Sequence, residues 1–486
     1  MSLTSALSIA QNALLNTSRQ TSVVSRNVSE ANNPDYARRN AVLVSTSNGA
    51  RVAQIQRAAS DVLLRQNLSA LSGLSAQQTL LESVDQLALS VNGTDHASSP
   101  ATWLGKFQQA LQVYSASPSN GTLAENAVEA ARQMVQALNN GTAQIQSFRA
   151  EVDAQMETAA GELNTLLSDF EQLNREIVAG TRQGRDVNDS LDQRDALLKK
   201  ISEYVPVSIV ARENNDMALV TSSGAMLFDT VARPVTFERT IAYAPGASGN
   251  AVLVDGVPLI AGDGGNTSAS GKLAALMQAR DTVASGMQAQ LDEIARVLVA
   301  SFAESDVNGV LPDQAGLFTW SGAPGIPADG TLVNGIAGQI RINAAYDSRQ
   351  GGDPALLRDG GANGADYKAN VAGNSGFSEQ LLKFLDALDA PMAFDTAAGI
   401  PGTASLTNYT SSSVSWIEAI RQNATGAAET KSALYMRTQA ALSNATGVNI
   451  DEEMALLLDL EHSYQASARI LSAVDAMFGN LLEAVR

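Results

Sequence analysis

Apolar residues recur in alternating steps of three and four at both ends of the chain. Near the C-terminus they fall at Ile450, Met454, Leu457, Tyr464, Ala468, Leu471, Phe478, Leu482 and Val485, interrupted by Glu461 and Asp475. Near the N-terminus Leu3, Leu7, Ala10, Leu14, Thr17, Thr21, Val24 and Val28 keep the same alternation unbroken. Two such heptad stripes predict an N-terminal and a C-terminal helix made to lie together. The first helix covers residues 2–30 and stops at a turn in which Pro34 takes the second position and Asp35 the third. Alternation through Ala41, Val42, Leu43, Val44, Val52 and Ile55 predicts a strand or hairpin. Helical spacing returns over 60–91 and is almost continuous over 102–205, where Gly180 is expected to close one run.

The pattern changes at Val205. Short β-like runs at Val207, Ile209, Val220, Val235, Phe237, Val252, Val254 and Ile260 are separated by turn signals, among them Asp255-Gly256. A helix is predicted over 271–302, then a Gly- and Asp-rich stretch with strands near Leu332-Val333 and 339–342. Helices follow over 377–388, 414–442 and the end of the chain. The expected fold is mainly α with inserted β: terminal helices forming a coiled-coil-like bundle, a long-helix body and a β-rich part. Its divisions are 1–30 with 449–486 for the terminal helices, and 31–204 with 266–304 and 376–448 for the helical body. Residues 205–265 form a small β domain, and 305–375 an irregular or β segment.

The terminal helices are expected to be incomplete alone. Ordering a residue costs roughly 1–2 kcal/mol of backbone entropy, while burying a Leu or Val returns about 1.5–3 kcal/mol. The first stripe has only Leu3, Leu7, Leu14, Val24 and Val28 as strongly apolar members, and isolated helices in water are marginal. Identical neighbours that bury the remaining faces would stabilise both. The predicted interface residues are these five with Ile450, Met454, Leu457, Tyr464, Leu471, Phe478 and Leu482.

Composition narrows the function classes. The 486 residues carry a net charge of −18 with no run of Lys and Arg, which argues against nucleic-acid binding. Aromatic content of 5% predicts helices packed through small side chains rather than ring clusters. Absence of cysteine excludes disulfides, thiolate zinc sites and a cysteine nucleophile. No apolar stretch is long enough to span a bilayer. The N-terminus lacks the charged and apolar regions of a cleaved signal peptide.

Residues Ala31, Asn32, Pro34, Tyr36 and Arg38 resemble the N-terminal signature of flagellar rod, hook and hook-associated proteins, which usually reads Ala-Asn-Thr-Pro-Gly-Tyr-Ser-Arg. Here Asn33 and Asp35 replace Thr and Gly, favouring a type I turn. Residues 464–469 and 475–478 resemble the C-terminal signature of the same proteins. Asp192, Gln193, Arg194 and Asp195, with Lys272-Leu273, Arg280-Asp281 and Asp306-Val307-Asn308-Gly309, narrow the resemblance to the hook-associated protein 1 family of hook–filament junction proteins. The resemblance implies a structural subunit in a homo-oligomeric axial tube, with terminal helices inside and the β domain outside. It implies as partners the hook protein, the second hook–filament junction protein, an export chaperone and the flagellar type III export apparatus. It also implies an extracellular place on the flagellum, reached without a cleaved signal peptide. Rival readings are a hook or rod subunit, and a non-flagellar coiled-coil adaptor.

Chemistry-bearing motifs are weak. His96 and His462 are the two histidines and form no zinc pattern. Residues 265–273 have glycines spaced one too far for a phosphate loop, with Leu273 where Ser or Thr is needed. The segment from Asp306 lacks the ligand spacing of a calcium loop and reads as a turn. Asp189, Asp192 and Asp195 lie three apart beside Arg194 and Lys199, which reads as a solvated or salt-bridged helix face. Asn449 reads as a cap, and Asp451, Glu452 and Glu453 as charges matched to the helix dipole. No cofactor, metal or catalytic role is expected, and no enzyme activity.

Overall fold

The computed structural model describes residues 3–46, 49–92, 99–261 and 270–484. His96 and Val485, and residues 265–269 of the phosphate-loop-like segment, lie outside them. In chain order the elements begin with α1 (Leu3–Ser29), β1 (Arg39–Thr46), β2 (Gly49–Arg57), α2 (Asp61–Leu87), α3 (Pro100–Ala116), α4 (Gly121–Arg182) and α5 (Asn188–Tyr204). Strands β3 (Val207–Ala211), β4 (Met217–Thr221), β5 (Met226–Phe228), β6 (Val235–Thr236), β7 (Leu253–Val254) and β8 (Val257–Pro258) follow. Then come α6 (Lys272–Gln278), α7 (Ala284–Ser301), β9 (Phe318–Thr319), α8 (Ile336–Gln339), β10 (Arg341–Ile342) and α9 (Leu356–Asp359). The chain closes with α10 (Glu379–Asp389), β11 (Met392–Ala393), β12 (Thr403–Ala404), α11 (Leu406–Thr446) and α12 (Ile450–Ala484). The fold is mainly helical with small inserted sheets, as the pattern predicts. Among the described residues no helix is long and apolar enough to cross a membrane.

Local chemistry sets the ends of these helices. Ser99 caps α3 by accepting from Thr102 N, and Pro100 occupies the first position, where no amide is needed. Gly180, expected to end its helix, instead lies in the last turn of α4. The stop is four residues later: Gly184 has φ +67, Arg185 N donates to Gly180 O at 2.9 Å, and Gly184 N donates to Thr181 O at 3.1 Å. That is the Schellman arrangement, which needs a left-handed residue past the helix end.

The chain divides into two compact units, one of Met1–Leu74, Glu162–Val235 and Thr430–Arg486, the other of Ser75–Gly161 and Thr236–Glu429. The first holds α1, α5, α12, the β1–β2 hairpin and the sheet β3–β4–β5. The strands β6–β7–β8 form a separate three-stranded sheet.

The second unit is built around α7, in which thirteen of eighteen residues are buried. Phe302 packs on Phe107, Phe318 and Phe384 at centroid distances of 5.2, 5.2 and 4.8 Å. This ring cluster corrects the expectation of small-side-chain packing: few aromatics suffice when they converge on one centre. Arg280, in the π turn joining α6 to α7, is buried against Asp153 and Asp281. Gly249 leaves the space its guanidinium fills. Asp306 uses its carboxylate to accept the amides of Asn308, Val310 and Leu311, which makes it a turn-former.

Two predicted strands are displaced. Leu332-Val333 is not a strand, and Leu332 N donates to the Asp395 carboxylate instead. Gln339 ends α8, and only Arg341–Ile342 pairs, antiparallel with Phe318–Thr319. Runs this short are fixed by tertiary hydrogen bonds, which leave no periodicity in sequence. α11 begins eight residues before the predicted start, because its Ser- and Thr-rich first turns carry no apolar stripe.

Candidate assembly interface and its anchor

α1 and α12 pack side by side within the first unit. The end of α1 meets the beginning of α12 through Asn27 Nδ2, which donates to Glu453 at 3.0 Å, so the pair is antiparallel. On α1 the buried residues Ala10, Thr17 and Val24 recur every seven, flanked by half-buried Leu3, Leu7, Leu14, Thr21 and Val28. This is the predicted stripe. A second face of α1 carries buried Asn16 and Val23 toward the β1–β2 hairpin. There the Asn16 side chain accepts from Val52 N at 3.0 Å and donates to Ala50 O.

On α12 the buried residues are Glu453, Leu460, Ser467 and Val474, again seven apart. Leu457, Leu471 and Phe478 are half-buried beside them. Ile450, Met454, Tyr464 and Leu482 are not enclosed, at 46, 44, 50 and 69% exposure. The stripe facing α1 therefore runs one residue earlier than predicted at alternate positions, and Glu461 and Asp475 lie outside it. The physical reason is that α12 is apolar on more than one face, with Leu456, Leu458, Leu460, Ile470 and Leu471 all present. Several frames fit the periodicity, and contact with Asn27 selects one.

Of the predicted signature residues, Tyr36, Arg38, Asp192 and Asp195 come together where these helices meet α5. Asn27, 1% exposed, makes four hydrogen bonds: it donates to Arg39 O and Glu453, and accepts from Tyr36 Oη and Arg39 N. Arg38 donates to Glu453 at 2.6 Å and Glu452 at 3.2 Å, and its amide reaches Thr446 O at 2.7 Å. Arg39 is buried over the Tyr36 ring and pairs with Asp189 and Asp192. Arg57 bridges Asp192 and Asp195 at 3.0 and 2.7 Å. The three aspartates of α5 thus form a salt-bridged face, but their cations are Arg26, Arg39 and Arg57. Lys199 pairs with Asp35, while Arg194 turns away to Asn174 and the carbonyl of Asn215.

The turn is type I as predicted. Tyr36 N donates to Asn33 O, with Pro34 and Asp35 between and no positive φ at either. Ala31 is half-buried; Asn32, Pro34 and Gln193 are exposed. Glu453 lies in the first turn of α12, where its charge suits the helix dipole, and is in addition a buried ion-pair partner of Arg38; Asn449 caps α12 by accepting from Asp451 N.

Burial controls the electrostatics of this cluster. It pushes the Asp195 carboxyl up, against the opposing pull of Arg57. Burial works the same way on Asp189, but hydrogen bonds from Arg26 and Arg39 outweigh it and hold that carboxyl below its usual range. Burial pulls Arg194 down to about 10. The arrangement ties the end of α1 and the segment after it to the first turn of α12. Sequence reasoning missed Asn27, Arg39, Arg57 and Glu453 as its members; only the seven-residue spacing of 453, 460, 467 and 474 signals the last.

Residues 84–318 match the family model described as the flagellar hook-associated protein FlgK helical domain. Residues 439–484 match that of the flagellar basal body rod FlgEFG protein C-terminal region. The chain is 20% identical over 434 residues to flagellar hook-associated protein 1 of Bacillus subtilis, covering 83% of this chain and 80% of that protein. It is 27% identical over 279 residues to flagellar hook-associated protein 1 of Escherichia coli, a match spanning 51% of this chain and 47% of the relative. Its fold is similar to the solved flagellar hook junction protein FlgK of Burkholderia pseudomallei. There the TM-score is 0.57 at 14% identity, over 78% of this chain and 99% of that one.

Proposed function

We propose that the chain is a member of the flagellar hook-associated protein 1 family, which its matches support, and a structural subunit of the hook–filament junction. It polymerises through its paired terminal helices so that filament can assemble on the hook. The observation that carries this reading is α12. Only four of its thirty-five residues are buried, while Ile450, Met454, Leu458, Ile470, Met477 and Leu482 are all more than two-fifths exposed. A helix with apolar surface on several sides and one neighbour is completed by further helices of the same kind. The hook protein on one side and the second junction protein on the other are its neighbours in the axis. Before assembly the same surface is an aggregation hazard, which fits a chaperone holding α12 and export through the flagellar type III apparatus without a cleaved signal.

Deletion of the gene, scored by electron microscopy, tests this. The expected result is hooks of normal form without filaments, and flagellin shed into the medium. Absence of hooks would make the chain a hook or rod subunit instead.

A further inference from the structure

The two units differ sharply in charge. The second contains 13 basic and 28 acidic side chains, a net of −15, and the first 19 and 22, a net of −3. Within the first unit, residues 1–74 carry seven arginines against three acids, a net of +4. Several of these arginines converge. An open cleft of about 890 Å³ in the first unit is lined by Arg19, Arg57, Arg65, Arg185, Arg194 and Arg212. Arg57 is held by Asp192 and Asp195, Arg212 by Asp229, and Arg194 by Asn174 and a carbonyl. Arg19, Arg65 and Arg185 are exposed and have no ion-pair partner among the described residues. Nε of the buried Arg194 is also unpartnered. Four aspartates share the lining, at positions 61, 186, 195 and 216. Such a mixed, net-positive surface suits a folded acidic protein better than a uniform phosphate chain.

We propose that this arginine-lined cleft docks the acidic second unit of another copy of the chain. The contact is electrostatic and separate from the apolar seam of α1 and α12. Free arginines collected on one face of a molecule of net charge −18 find their most abundant complement in the −15 unit of a like molecule, and opposed charges also suppress the wrong stacking order. The proposal rests on the reading that the chain polymerises.

The test is photo-cross-linking from a residue placed at Gln54, an exposed position lining the cleft, in full-length protein. Light and isotope-labelled copies are mixed and assembled at low salt. Cross-links between copies should map to 75–161 or 236–429. Their yield should fall about tenfold at high salt and in the Arg19→Glu, Arg65→Glu, Arg185→Glu triple variant. Equal charge reversal at Arg175, Lys200 and Arg437 should leave the yield intact. Polymers whose cross-links stay within one copy, map to the first unit, or ignore salt overturn this contact alone. Wild-type protein that does not assemble at any salt overturns the polymerisation reading, and this contact with it.

Discussion

α7 and α12 are both long, both apolar at helical spacing, and both carry ionisable groups among their apolar residues. Yet α7 buries thirteen of eighteen residues and α12 four of thirty-five. The difference lies in what surrounds each. α7 is enclosed by its own chain, and each buried charge on it is answered there. Glu293 and Arg296 pair at 2.8 Å, Glu293 accepts Asp395 N, and Asp292 accepts the amides of Gly335 and Ala337. α12 meets α1 along one side and Arg38 at its start, and most of its remaining surface is exposed. Helical periodicity records that a helix has apolar faces; it does not record how many of them the same molecule covers.

The sharpest way to separate the two helices is to break a charge pair in α7. Both Arg296 and Glu293 are fully buried, so Arg296→Ala leaves an uncompensated carboxylate and should cost about 3–5 kcal/mol. Denaturant melts should show the second unit destabilised; a loss below about 1 kcal/mol would mean the pair is not enclosed. Asp292 gives the next largest effect. Burial, with adjacent Glu293 adding, raises its carboxyl to about 6, although bonds from Gly335, Ala337 and Gln288 pull the other way. Below about pH 4 it is protonated in folded and unfolded chains alike and imposes no penalty. As pH rises through about 6 the folded state must ionise a buried carboxyl, so stability falls by about 3 kcal/mol across that window. Asp292→Asn should abolish this dependence in melts between about pH 4 and 7. A carboxyl titration midpoint near 4 by NMR would remove the basis for it.

A smaller effect is expected where α12 is anchored. Asn27→Ala strips Tyr36 Oη, Arg39 N and the Arg39 carbonyl of their partner. That should destabilise the first unit by about 1–3 kcal/mol. Amide exchange should rise at the end of α1 and the start of α12, and stay unchanged along α7. Uniform acceleration would show that the anchor is not local.

How much of this was readable beforehand follows the same division. The helices, the β1–β2 hairpin, the type I turn at Pro34 and the pairing of the two ends all leave local marks: heptad spacing, alternation, a proline. The stripe on α1 was legible because Ala10, Thr17 and Val24 share one face with Leu3, Leu7, Leu14 and Val28 at unbroken heptad spacing. The frame of α12 was not, since Leu456, Leu458 and Leu460 offer competing faces. Nor was the ion-pair cluster. Asp189, Asp192 and Asp195 announce a charged helix face, but their cations Arg26, Arg39 and Arg57 come from 135 to 163 positions away. Pairing at that separation is decided by the fold.

The mildest change should be the most telling. Leu458, 55% exposed on α12, faces neither the buried stripe at Leu457 and Leu460 nor the Asn27 anchor. Leu458→Asp removes little that the isolated chain buries, so the monomer's stability should move by no more than about 0.5 kcal/mol. In an assembled tube the same position would meet an apolar neighbour, where an unpaired carboxylate is strongly unfavourable. Filament attachment in cells should therefore fail while circular dichroism and melting of the purified chain match wild type. Normal filaments on the variant would place this face of α12 toward solvent in the polymer and erase the contrast with α7. Global unfolding would show instead that the chain encloses α12 more fully than its exposure implies.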